Sequence, residues 1–168
     1  MKTIMNAARS IAKVMHTISS GLLVFMMLTI IAEVVTRALF GMTRGAIDLT
    51  FIGGVEIVSY TLLFMVLFSF PYSVSRSQVI VDFFTEKMGE KTKLILSAIY
   101  TSGFGFLGVG MTYRFIEATA RVAHTGETTQ DLLIPLTYIY ALTAVATSML
   151  AVRGFLVAIF QFIESRKV

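Results

Sequence analysis

Apolar residues run almost without interruption over residues 17–39, 54–74, 94–117 and 134–162, and nearly every charged side chain lies between these stretches or at their ends. Each run meets or exceeds the roughly 20 residues that a helix needs to cross a bilayer's hydrocarbon core. Strands of a membrane β-barrel would alternate apolar and polar positions instead. A helix satisfies its own backbone N–H and C=O groups where no water can. The pattern therefore predicts an all-α integral membrane protein with four transmembrane helices. So little chain remains between them that residues 1–168 read as a single four-helix membrane domain.

Two further segments carry a different pattern. Over residues 1–16, Ile4, Ala8, Ile11 and Met15 recur at helical spacing on one side, with Lys2, Arg9, Lys13 and His16 on the other. That segregation predicts a short interfacial amphipathic helix lying in the headgroup plane before the chain turns to cross. Residues 79–90 interleave Val79, Ile80, Val81, Phe83, Phe84 and Met88 with Asp82, Glu86, Lys87 and Glu90, and predict a second interfacial segment. Gly41, after Phe40, is the expected stop of the first span. Pro71 is expected to bend the second, and Pro135 to open the fourth. The third span holds Ala98, Ser102 and Gly105 with Gly103, Gly108 and Gly110, small residues that let membrane helices approach closely.

Charge then orients the spans. Ten of the fourteen Lys and Arg residues lie in the N-terminal segment, the middle connection and the C-terminal end. Arg37, Arg44, Arg114 and Arg121 make up the other side. The positive-inside bias predicts that both termini and the middle loop are cytoplasmic. The first run is read as a retained signal-anchor helix, since no small-x-small cleavage site follows it. The net charge of +4 reflects this bias toward an anionic leaflet and implies no nucleic-acid partner.

An ionisable residue inside a span is the usual mark of function. Here Glu33, Arg37, Glu56, Arg114, Glu117 and Arg153 are all expected within about two turns of a span end, leaving the span centres uncharged. An ion or proton path needs polar groups at mid-depth, so this chain is not expected to carry solute by itself. Glu33, Arg37 and Glu56 fall at one outer level, where Arg37 is placed to bridge two carboxylates on adjacent helices. The cluster reads either as an ion-pair group pinning spans one and two together or as a docking or subunit-contact site. Arg44, Asp48, Glu127 and Asp131 in the outer loops are candidate docking residues.

The inventory excludes most enzymes. The chain has no cysteine, hence no disulfide, thiolate metal site or thiol redox chemistry. His16 is expected at the interface and His124 in an outer loop, so no haem-ligating pair sits within the spans. His124, Glu127 and Asp131 match no dedicated metal spacing. Neither a nucleophile elbow nor a phosphate-binding glycine loop is present. No enzyme activity, metal or cofactor is expected of this chain.

Four sequence elements occur in order on this four-span frame: Arg37-Ala38-Leu39-Phe40-Gly41, then Glu56 opening span two, then Val79-Ile80-Val81-Asp82, then Ile134-Pro135 followed by Tyr138. With them the chain resembles the small membrane subunit of tripartite ATP-independent periplasmic (TRAP) transporters, the DctQ-like family. Arg37, Phe40, Gly41, Glu56, Val81, Asp82 and Pro135 are the positions that carry the likeness. The chain departs from it in having Gln78 where members commonly have His, and no Trp.

The resemblance implies a bacterial inner-membrane complex. A large elevator-type subunit would hold the sodium and substrate sites, and a periplasmic binding protein would deliver sialic acid, a C4-dicarboxylate or another sugar acid. The small subunit would brace the large one among the membrane lipids. The alternative is a self-sufficient small four-helix transporter working as a homo-oligomer.

Overall fold

In the computed structural model, residues 2–46, 49, 51–74 and 89–166 are described. They form four helices: α1 (Lys2–Met42), α2 (Gly54–Ser73), α3 (Glu90–Thr125) and α4 (Leu136–Ser165). All four are long and apolar enough to span a membrane. The chain is therefore read as a multi-pass membrane protein.

α1 runs unbroken for 41 residues, about 60 Å at 1.5 Å per residue and about twice a bilayer core. The chain thus makes no turn between residues 16 and 17, where a separate surface helix was expected to end. The reason lies in the sequence. Residues 2–20 contain neither Gly nor Pro, and the Thr17 and Ser20 hydroxyls donate to the Lys13 and His16 carbonyls four residues back, within the helix.

The stop of α1 also differs from expectation. Gly41 lies inside the helix with open space around it. The chain leaves the helix three residues later, where Arg44 takes a left-handed conformation (φ 50°) followed by Gly45 (φ 84°). The Gly45 amide donates to the Phe40 carbonyl and the Arg44 amide to that of Gly41, the two bonds of a Schellman termination.

Short connections make two antiparallel hairpins. In the first, α1 lies along α2. The Ser19 hydroxyl donates to the Met65 carbonyl at 2.7 Å, and the His16 ring stacks on Tyr72 with centroids 4.8 Å apart. In the second, α3 and α4 touch backbone to backbone. A Cβ on Gly108 would lie 2.6 Å from the Ala151 nitrogen, and Thr112 donates to the Thr147 hydroxyl at 3.0 Å. Phe106 meets Phe155 edge-on at 5.2 Å. Of the expected small residues, Gly105 and Gly108 make this contact, whereas Gly103 and Gly110 face open space.

α4 is the centre of the bundle. It meets α3 along its length and also touches α2 and α1. Half of its apolar stretch is buried within the chain, against 6% for α1. Pro135 stands just ahead of α4, where its missing N–H costs nothing. Pro71 is buried in the last turn of α2. α1 turns Val24, Leu28, Ile31 and Val35 outward, which in water would be a liability and in a bilayer is the expected lipid- or partner-facing surface.

α3 extends beyond its expected end at residue 117 and stops only at Gly126, the next residue able to cap it. His124 is consequently in the last turn of α3 rather than in a loop. The interfacial segment expected over 79–90 lies outside the described residues, except that Gly89 precedes α3 and Glu90 begins it.

Candidate functional site

The two hairpin loops meet at one end of the bundle, opposite the chain termini. The loop after α3 folds on itself there. Thr128 bridges Pro135 in antiparallel fashion, the Thr129 amide donates to the Ile134 carbonyl, and the Leu136 amide donates to Glu127. The Thr129 side chain is buried and accepts the Ile134 amide.

Glu56, in the first turn of α2, fastens that loop. Its carboxylate accepts the Gln130 and Leu132 amides at 2.9 and 2.8 Å and the Asp131 amide at 3.3 Å. Bonds from backbone N–H to a charged acceptor are among the stronger ones in proteins. Leu132 seats against Gly53, where a Cβ would be 2.8 Å from its Cδ2. Gly53 holds φ 87° as it leads into α2, so only glycine meets both demands. Val55, Ser59, Tyr60, Gln130 and Asp131, with Glu56, line a cleft of about 450 Å³ at this junction.

The expected three-residue cluster therefore divides. Arg37 pairs with Glu33 on its own helix, and among the described residues no ion pair joins Arg37 to Glu56. Glu33 instead reaches α2 at Gly54, where a Cβ would meet its carboxylate at 2.9 Å. Glu56 turns its carboxylate instead to three backbone amides of the loop after α3.

Arg44 and Asp131 are exposed at this end, as is Glu127, which accepts the Thr125 hydroxyl at 3.0 Å. Asp48, Val81 and Asp82 lie outside the described residues. Arg114 and Arg121 pair with Glu117 on the exposed face of α3. Among the described residues no group of three His, Asp or Glu side chains converges as a metal site would.

At the other end stands a residue that sequence reasoning misplaced. Arg153 lies 12 residues, more than three turns, short of the end of α4. It is only 2% exposed, so it does not reach out to the interface along its stem. Three buried side-chain atoms among the described residues lack a hydrogen-bond partner: Arg153 Nε, His16 Nδ1 and Gln161 Oε1. An apolar-to-charged step in an otherwise continuous run, flanked by Gly154, was the available signal for a buried position.

A family model described as "Tripartite ATP-independent periplasmic transporters, DctQ component" matches residues 26–164, most of the chain. The chain belongs to this family. It is thus a small permease subunit of a TRAP transporter, a component of a transport system and not of a family known for catalysis. No curated protein and no solved structure matches it. The DctQ match begins inside α1, so residues 2–25 of this long helix precede it. Within the DctQ-like motif positions, Glu56 and Pro135 now share one structural unit, since Glu56 grips the loop that Pro135 closes.

Proposed function

We propose that this chain is the non-catalytic bracing subunit of a sodium-coupled TRAP transporter. It holds a large elevator-type permease subunit in the membrane, and a periplasmic binding protein delivers a carboxylate substrate to the pair. The family match supports the tripartite setting. One observation carries the bracing role: the charge placed deep in the bundle is Arg153, a buried cation. A sodium site needs oxygen ligands, usually with a carboxylate, and a guanidinium has the wrong sign. The acidic residues of the spans, Glu33, Glu56 and Glu117, sit instead toward the loop end and are engaged there, Glu117 by Arg114 and Arg121.

The ten-to-four division of Lys and Arg supports cytoplasmic termini and an inner-membrane location. With that orientation, the loop end carrying Arg44, Glu127 and Asp131 faces the periplasm, where the binding protein docks. The first turns of α1 then lie on the cytoplasmic side. The outward apolar face of α1 supplies a surface for the large subunit and the surrounding lipid.

Crosslinking in native membranes tests this reading against a homo-oligomeric transporter. One heavier heterodimer band is expected; a ladder in steps of 18.5 kDa would favour the self-sufficient alternative.

A further inference from the structure

α1 presents one row of apolar positions that the rest of the chain leaves exposed. Every seventh residue from Ile4 to Leu39 is apolar, and so is every seventh from Ala7 to Met42, with Gly21 among them. All of these positions are exposed. Apolar residues alternately three and four apart make the seam along which two helices coil left-handedly around each other. α1 already holds that register toward α2. Ser19, which donates to the Met65 carbonyl, and Glu33, which packs at Gly54, both face α2 and lie two heptads apart. The open seam runs beside that contact. Its Ile18 and Ala32 come one residue earlier and are turned by about 100° around the helix.

Lipid tails do not account for the whole seam. α1 is 41 residues long, about 60 Å. Tilted by about 40°, the upper end of the range for membrane helices, it would still cross about 45 Å. The hydrocarbon core is about 30 Å thick. The excess lies at the start of the helix, where Arg9 and Lys13 are exposed. There Ile4 is 62% and Ile11 54% exposed, and a row of apolar side chains outside the tails marks a protein contact. Arg9 and Lys13 fall off the seam, so no charge interrupts it.

The order of sizes along the seam argues against a second copy of this chain as its occupant. In a parallel pair related by a two-fold axis, each seam position faces itself. Gly21 would then face Gly21, and Phe25 would face Phe25 about one turn away. A void and a bulky pair would have to share one interhelical distance. An antiparallel copy would set Phe25 against Gly21, but copies inserted under one charge bias run parallel. The occupant is therefore a different helix, with a large side chain opposite Gly21 and a small one opposite Phe25.

We propose that the seam of α1 from Ile4 to Met42 docks a long helix of the large permease subunit. The two coil together from the loop end to beyond the membrane on the side of the termini. The inference rests on the bracing reading, which supplies the large subunit as partner, and it adds the face that makes the contact.

The test is recovery of the large subunit from membranes expressing the full transporter, with this chain tagged. Gly21 has open space around it, so Gly21→Leu is expected to leave the isolated chain's unfolding temperature unchanged. Recovery should nonetheless fall about tenfold, the scale of an overpacked contact. Ile11→Lys, on the part of the seam outside the tails, is expected to lower recovery as well. Met27→Phe, at an exposed position off the seam, is the control and should recover the large subunit fully. A photo-crosslinking amino acid at residue 11 is expected to join this chain to the large subunit. If Gly21→Leu fails to fold, Ile11→Lys and the crosslink carry the test. Undiminished recovery in the seam variants would overturn the seam and leave the bracing reading intact. A crosslink at residue 11 between two copies of this chain, or to lipid alone, would overturn the occupant. Failure of the wild-type chain to recover any large subunit would overturn the bracing reading itself, and the partner with it.

Discussion

A Cβ added to Gly154 would lie 2.6 Å from the amide nitrogen of Gly105. α3 and α4 therefore meet with backbone against backbone, and no side chain fits between them. Lipid gives two apolar helices no hydrophobic reason to associate, so close van der Waals contact must hold them. Gly154→Val is expected to push the helices apart and to destabilise the chain by about 1–3 kcal/mol, as overpacked cores are. Gly103→Ala and Gly110→Ala, which face open space, are expected to leave stability unchanged. Thermal unfolding in detergent separates the two classes.

Glu56 is expected to matter through the loop it grips rather than through chemistry. Glu56→Ala removes the acceptor of three amides and is expected to cost about 3 kcal/mol, the scale of bonds to a charged group left unmade. Limited proteolysis within residues 127–135 should accelerate in the variant. An unchanged cleavage rate would contradict the clamp.

Arg37 is expected to contribute little to the isolated subunit. Its side chain is 67% exposed and it pairs with Glu33 one turn away, an arrangement worth about 0.5 kcal/mol in helices. Arg37→Ala should leave the subunit's unfolding temperature nearly unmoved. A fall in the yield of complex without that change would assign Arg37 to the partner contact, the docking alternative for this position.

Arg44 occupies the left-handed position of the α1 termination that glycine usually fills. Arg44→Gly should relieve strain and stabilise the chain by about 1 kcal/mol. A large loss of assembly with unimpaired subunit stability would show that the Arg44 charge serves docking.

The spans were legible because an apolar run of bilayer length has few other uses. Their ends were less so. Gly41 looked like the stop of α1, yet the sequence cannot say which of Gly41 and Gly45 will be left-handed. α3 looked finished at Glu117 because polarity marks the end of a membrane span, whereas only Gly126 marks the end of the helix. The Glu56 clamp was invisible for another reason. Its partners are backbone amides some 75 positions away, and amides carry no residue-type signature. Arg153 was misplaced because distance from a span end was taken as access to water, and burial by α4's neighbours removes that access. The DctQ-like motif residues, read in order, identified the family where no single site did.

The central claim is that this subunit braces a transporter without moving cargo. Uptake of a labelled carboxylate into sodium-energised proteoliposomes tests it most directly, with this chain alone and then with the large subunit and the loaded binding protein. The expected result is no uptake above empty liposomes for this chain alone and robust uptake for the complete set. Sodium-driven uptake by this chain alone would contradict the account.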